Sequence, residues 1–337
     1  MNTNRIRIIL GVVLVAIFLL ALDLGFPRRL PSMPAQRHTT WTALLNGSTQ
    51  SGVLPPFLRK RLSIYLQAGF FGSPKPGHYR FSTRISLFAW IRALEQGRQT
   101  PVRLVLNKQR TPHRLAAFLG KKLMADSAAW MAVLKDSVDL DSGRWEAQNN
   151  LLLFLPDTYE VYWTVAPTVF VERMRGEYRR FWSPERINSA QAQGLSPREA
   201  LILASIIEEE TQHEAERPRI AGVYLNRLRI GMPLQADPTI KFALGRFDLR
   251  RIGLDHTLVE SPYNTYRRTG LPPGPVCVPS KNALSAVLAP ENHSFLYFCA
   301  DPLRAGTHRF ATTFAEHTRN ARLYRKSLDR RGVKIQS

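Results

Sequence analysis

Three consecutive carboxylates, Glu208, Glu209 and Glu210, close an apolar run, Leu201-Ile202-Leu203-Ala204-Ser205-Ile206-Ile207. A carboxyl group at the border of an apolar face and beside like charges has its pKa raised by desolvation and repulsion. It can then be held protonated and used as a general acid. The same pattern also ends solvated surface helices, because structural charge clusters perturb pKa values too. Residue types alone leave both open, and the phase of the helix has to separate the three carboxyls.

That phase is set upstream. Ser196-Pro197-Arg198-Glu199 is a capping box with proline at the first helical position, which predicts a helix starting there and carrying the apolar run. On it Glu208 shares a stripe with Leu201, Ala204 and Ser205. Glu210 lies on the stripe of Leu203, Ile206 and Ile207, through spacings of seven, four and three. Glu210 is therefore expected to be the desolvated carboxyl, with Glu208 and Glu209 solvated or orienting neighbours and Glu208 the runner-up as the acid.

Other chemistries lack their residues. His213-Glu214 is followed by Ala215-Glu216-Arg217 rather than a second histidine, and no close His/Cys/Asp cluster has metal-ligand spacing, so no metal and no cofactor is expected. Gly120-Lys121 lacks the earlier glycine of a phosphate loop, and no Gly-x-Ser-x-Gly elbow occurs. Cys277 and Cys299 are too few for a disulfide scaffold; free buried thiols are expected, with pairing open in an oxidising compartment.

Around the carboxylates the chain must supply a scaffold. Residues 216–229 have a helical period ended by Gly231, residues 232–239 and 261–266 form polar loops, and Gly270-Leu271-Pro272-Pro273-Gly274-Pro275 is stiff. Such loops are either turns or the walls of a groove for a polar polymer. Upstream, helices are expected over 127–140 and 167–182, and an apolar strand over 151–159 broken by Pro156. Downstream, a helix over 281–288, a buried strand over 295–300, a strand over 308–310 and a basic helix over 314–323 close the domain.

The whole chain has 337 residues, of which 44% are hydrophobic, enough for two or three modest domains. The excess of 47 Lys and Arg over 26 Asp and Glu favours an anionic partner, but the arginines are not gathered into an aromatic-interleaved block, so no nucleic-acid partner is expected. Residues 8–22 contain no polar side chain and follow Arg5 and Arg7, which predicts an uncleaved single-pass anchor with the long portion outside; a cleaved signal peptide is the competing reading. The predicted architecture is α+β: a cytoplasmic tail and transmembrane helix over 1–26, a linker over 27–38, a small α+β domain over 39–106 and a larger α+β catalytic domain over 107–337.

Read in order, Ala204-Ser205-Ile206-Ile207-Glu208-Glu209-Glu210-Thr211, Glu216-Arg217-Pro218, Ile220-Ala221-Gly222-Val223-Tyr224-Leu225-Asn226-Arg227-Leu228, Gly231-Met232-Pro233-Leu234-Gln235-Ala236-Asp237-Pro238-Thr239 and Tyr263-Asn264-Thr265-Tyr266 resemble the endolytic murein transglycosylase, or YceG-like, family. Pro76-Gly77-His78-Tyr79-Arg80-Phe81 is similar to the family's LysM-like domain. The resemblance implies an inner-membrane lyase whose periplasmic portion cuts peptidoglycan glycan strands internally and leaves 1,6-anhydro-muramic ends. It implies Glu210, followed by the small hydroxyl residue Thr211, as the catalytic group. Gln235, Asp237, Tyr263, Asn264 and Thr265 are then expected to line the sugar groove, and penicillin-binding peptidoglycan synthases are candidate partners. The alternative is a membrane-tethered, non-catalytic cell-wall-binding scaffold. Two departures from the family pattern stand out: Glu209 occupies a position where relatives often carry a basic residue, and Pro279-Ser280-Lys281 replaces a more usual Pro-Gly.

Overall fold

A computed structural model of the chain describes residues 27–28, 33–35, 63, 72–81, 84–135, 138–140, 143–145, 149–249, 251–304 and 306–330. The expected anchor over 1–26 and most of 39–71 lie outside them. Among the described residues no helix is long and apolar enough to cross a membrane. The chain divides into two compact units, one formed by residues 1–104, 122–125 and 159–165, the other by 105–121, 126–158 and 166–337.

The first unit is built on short antiparallel pairs. β1 (Pro27–Arg28) and β2 (Met33–Ala35) lie within the expected linker, and β3 (Gly77–Tyr79) falls in the aromatic turn-strand motif. β2 pairs with β3, and β1 pairs with β4 (Ile85–Ser86). The Ser86 hydroxyl accepts from the Ala89 amide at 3.2 Å and so starts α1 (Leu87–Gln96), which ends at Gly97 in the left-handed region. Trp90, Ile91 and Leu94 of α1 are buried, as is Tyr79. β5 (Val102–Leu106) alternates as its sequence requires, with Leu104 and Leu106 buried.

In the second unit α2 (Pro112–Lys122) begins where Thr111 Oγ1 accepts from the Arg114 amide. The helix expected over 127–140 stops early: α3 covers Ser127–Lys135, and β6 (Val138–Leu140) then pairs with β7 (Gly143–Trp145). A short apolar period reads alike as helix or strand, which is why the sequence did not end the helix at Lys135. The apolar strand expected over 151–159 is instead a 3-10 helix, Asn149–Leu153, with β8 starting only at Asp157 (Asp157–Val161). Leu151 to Phe154 are fully buried, so this apolar run fills the core as a helical turn, and Pro156 cannot donate to a ladder.

Next come α4 (Pro167–Phe181), α5 (Pro184–Ala192) and α6 (Pro197–Glu210). The capping box of α6 is formed: Ser196 Oγ accepts from the Glu199 amide, and the Glu199 carboxylate accepts from the Ser196 amide at 2.8 Å. From Ala200 to Ile207 every residue is at most 2% exposed. A helix apolar all round belongs inside a core, and α6 is packed by α5, α7 (Arg217–Arg229), α8 (Asp237–Leu244) and α9 (Lys281–Leu288). The two stripes inferred from the sequence are thus both enclosed, and the side chains that reach polar surroundings are those at its C-terminal end. One polar side chain lies inside it: Ser205 Oγ donates to the Ile202 carbonyl at 2.7 Å and accepts from the Val276 amide at 3.0 Å.

Gly222 lets α7 close on the loop after α9, since a Cβ there would lie 2.6 Å from the Glu291 carbonyl and from the His293 ring. The segment 232–239, expected as loop throughout, becomes helical at Asp237, because Pro238 in the first turn needs no amide partner. β9 (Tyr297–Ala300) pairs antiparallel with β10 (His308–Ala311), only partly buried where full burial was expected, and α10 (Phe314–Arg330) ends the described chain. The architecture is mixed helix and sheet, as expected of an α+β chain.

Candidate active site

The three carboxylates at the end of α6 have separate fates. Glu208 is buried and accepts from Ser280 Oγ at 2.5 Å and from the Ser280 amide at 3.3 Å, with Arg217 at 3.4 Å. Arg217 itself is buried and also donates to Asn282 at 2.9 Å. Ser280 is the N-cap of α9, accepting from the Ala283 amide, so Glu208 joins α6, α7 and α9 at one polar node. That node is structural: Glu208 Oε2 takes the Ser280 hydroxyl and amide and faces Arg217, so Glu208 is an orienting neighbour rather than a solvated one.

Glu209 is held by a bidentate pair from Arg110, at 2.9 and 2.8 Å, and by Lys108 at 3.3 Å. Burial would raise its pKa, but the hydrogen bonds and charges of Arg110 and Lys108 outweigh that and leave it below the ordinary carboxylate value.

Glu210 is the carboxyl left without a cationic hydrogen-bond partner among the described residues. Its Oε1 accepts from the Tyr224 hydroxyl at 2.5 Å. Burial is the largest influence on it and pushes its pKa up to about 7; the Tyr224 hydrogen bond pulls the other way, Asp237 adds to the rise, and Lys241 and Arg227 oppose it. The C-terminal end of a helix, where the dipole is negative, also disfavours a carboxylate. Burial pushes the Tyr224 phenol well above its usual range, so its oxygen stays protonated and donates. Since Oε1 is occupied as an acceptor, the acid proton of neutral Glu210 resides on Oε2.

Around this pair the second unit supplies fixed donors. Tyr224 packs edge-on against Phe298 at 5.8 Å. Arg227, one turn further along α7, is buried and donates to the Leu296, Pro233 and Leu234 carbonyls, which ties the 232–236 strap to the helix. Asp237 opens α8 and accepts from the Tyr266 hydroxyl at 2.5 Å. Burial raises the pKa of Asp237, with the Tyr266 hydrogen bond and the charges of Lys241 and Arg251 opposing.

The remaining expected groove residues split. Gln235 is exposed, with φ of 49°, a left-handed conformation that costs an L side chain energy, and it sits between fully buried Leu234 and Ala236. Its amide donates to the Thr265 carbonyl at 2.9 Å, and the Ala236 amide donates to Thr265 Oγ1 at 3.0 Å, so the strained turn is held from the 261–266 loop. Tyr263 packs against Phe242 of α8, ring centroids 4.6 Å apart and planes tilted by 40°, and remains partly accessible. Asn264 and Thr265 are turned inward. Asn264 Nδ2 donates to the Thr257 and Val259 carbonyls, and Thr265 Oγ1 bonds Thr239 Oγ1, both residues being 2% exposed or less. They hold the wall from behind, a role that a hydrogen-bonding residue in a tight loop takes when its own backbone groups need partners. Thr211 is likewise buried, its hydroxyl accepting from the His213 amide.

Tyr224 and Tyr266 were not singled out as site residues from sequence, though Tyr224 carries a usable signal: a tyrosine in an otherwise apolar helical stripe must find a partner for its hydroxyl. Among the described residues no group of His, Cys, Asp and Glu is placed to hold a metal ion. Cys277 is buried and its thiol donates to the Ser205 carbonyl, while Cys299 is partly exposed; both are free.

Comparison with known proteins agrees with this arrangement of helices and loops. The chain is 40% identical over 130 residues to an endolytic murein transglycosylase of Bacillus subtilis (strain 168), covering 39% of this chain and 35% of that protein. It is 31% identical over 215 residues to an endolytic murein transglycosylase of Streptococcus pneumoniae serotype 2 (strain D39), covering 60% and 38%. The chain thus spans little more than a third of the length of these curated relatives. A crystal structure of a yceG-like protein from Listeria monocytogenes shares the fold, with a TM-score of 0.53 at 23% identity over 87% of this chain and 99% of that one. Residues 54–323 match the YceG-like family as a whole, and on that match the chain belongs to the YceG-like family.

Proposed function

We propose that the protein is a membrane-anchored endolytic peptidoglycan lytic transglycosylase, with Glu210 as its single acid/base group. The observation that carries this is the Tyr224-held Glu210, whose pKa near 7 keeps a large protonated fraction at neutral pH. The proton on Oε2 passes to the glycosidic oxygen as the bond between muramic acid and glucosamine breaks. The resulting carboxylate then takes the proton of the muramic 6-hydroxyl, whose oxygen bonds to the anomeric carbon in place of water. The ring so closed is a 1,6-anhydro end, and no water is consumed. A pKa close to the working pH suits a group that must give and then take the same proton.

The groove residues support the reading in kind. Gln235 and Tyr263 offer an exposed amide and a partly exposed aromatic face, the usual means of holding a sugar, while the Asp237–Tyr266 pair supplies a second, half-buried carboxyl beside the acid. The names of the curated relatives point to the same substrate. Residues 8–22 would hold the enzyme in the inner membrane as a single span with residues 27 onward periplasmic, where glycan strands and their synthases are within reach. Mass spectrometry of products from purified strands tests the chemistry: anhydro-muramic ends formed inside the strand are expected, and reducing ends would indicate a hydrolase instead. Recovery of the full-length protein with inner membranes is expected to accompany it.

A further inference from the structure

Glu209 shares none of Glu210's partners, and the surroundings that it organises are not used by the acid/base chemistry. Next to it lies a pocket of about 50 Å³ lined by Arg110, Glu209, Pro238, Lys241, Phe247 and Val276. The Arg110 guanidinium lies over the Phe247 ring at 5.0 Å, and Arg114 from the same segment lies over it at 5.3 Å. Glu209 is already saturated by Arg110 and Lys108. Arg114 and Lys241 have no carboxylate within ion-pair distance among the described residues.

The wall is therefore cationic beyond what its one acid neutralises, and the aromatic ring fixes the guanidiniums in place rather than leaving them to solvent. Holding one water takes roughly 10–15 Å³ so measured, so the pocket takes a group of a few heavy atoms. Lys241 stands one helical turn along α8 from Asp237 and acts on Glu210 as well, so the pocket adjoins the acid.

We propose that this pocket is an anion subsite that receives a carboxylate carried by the muramic-acid side of the glycan strand. The proposal rests on the transglycosylase reading and deepens it by naming a group on the substrate. That carboxylate comes from the peptide substituent or, on a strand without peptides, from the lactyl group itself. Plain sugar polymers offer neither. Glu209 then orients Arg110 for the incoming anion, as a buried carboxylate orients a guanidinium fork.

The test is direct binding to full-length Glu210→Gln protein, which removes turnover from the readout. Three probes are used: chitohexaose, which carries no carboxylate; strands stripped of peptide by an amidase, which carry the lactyl carboxylate; and peptide-bearing strands. The carboxylate-bearing strands are expected to bind about tenfold or more tighter than chitohexaose, with the preference falling towards parity in Arg114→Gln/Lys241→Gln. The charge-keeping variant Arg114→Lys/Lys241→Arg is expected to retain most of the preference, which separates lost charge from lost fold. Whichever strand loses its preference identifies the source of the carboxylate. Absence of any preference, or a preference that survives removal of both cations, overturns the subsite. Wild-type protein that cuts no strand while the preference still collapses overturns the transglycosylase reading and leaves the subsite standing.

Discussion

The Tyr224 hydroxyl donates to Glu210 Oε1 at 2.5 Å across the α6–α7 contact, fourteen residues apart in sequence. The bond does two things at once. It fixes the carboxyl so that its proton lies on Oε2, and it stabilises the ionised form, limiting how far burial can raise the pKa.

Removal of that bond in Tyr224→Phe is expected to raise the pKa of Glu210 further, because a cause that lowers it is gone. The basic limb of the kcat/KM profile, which reports loss of the protonated acid, should move up from about 7. Activity at its own optimum should fall roughly tenfold, since orientation is lost with the bond. A pH–rate profile on purified strands checks both.

Asp237→Asn should move the same limb the other way. The Asp237 charge raises the pKa of Glu210, so its removal lowers it and the protonated fraction at pH 7 shrinks. Opposite displacements in the two variants, measured in one buffer series, are the expected result; parallel displacements would mean that the limb belongs to another group.

The strain at Gln235 predicts a split between stability and binding. Glycine accepts the left-handed φ of 49° without cost, so Gln235→Gly is expected to be more stable by about 0.5–1 kcal/mol in thermal or urea unfolding. The same change deletes an exposed amide from the proposed groove. A typical hydrogen bond contributes about 0.5–1.5 kcal/mol, so KM should rise roughly two- to twelvefold.

Much of this was legible beforehand, and for local reasons. Ser196 and Glu199 fix the start of α6, because capping is written in adjacent residues; the phase that follows does not separate the carboxyls, since both stripes are enclosed, and Glu210 is set apart by Tyr224 on the next helix. Glu208 and Glu209 were harder. Their partners, Ser280 and Arg110, lie 72 and 99 residues away, and nothing local says which cation or cap a carboxylate will meet. Asn264 and Thr265 show a further limit: residue type announced hydrogen bonding, but whether a side chain bonds substrate or its own loop depends on which backbone groups are left unpaired. Residues 151–154 were misassigned because a short apolar run reads alike as strand or buried helical turn.

Burial of Glu210 also couples folding to pH. Its folded pKa of about 7 lies above the reference 4.5, so its neutral form is buried at no ionisation cost below about pH 4.5. As pH rises from there through 7, the unfolded chain ionises first and the folded state loses stability, by about 3 kcal/mol once both are ionised. Glu210→Gln should therefore gain in stability over wild type between pH 5 and 8, with little difference at pH 4, as read by unfolding midpoints.

The central claim is that Glu210, and not Glu208, carries the proton. It is tested most directly by the yield of anhydro-muramic ends from purified strands with Glu210→Gln and Glu208→Gln, each assayed below its own unfolding midpoint. General acid/base help is typically worth about 10²–10⁴-fold, so Glu210→Gln is expected to lose activity by that factor while keeping the wild-type fold. Glu208→Gln, which breaks the Ser280–Arg217 node, is expected to unfold at lower temperature yet still form anhydro ends. A Glu210→Gln protein that releases anhydro-ended fragments at the wild-type rate, with Glu208→Gln folded and inactive, would contradict the account.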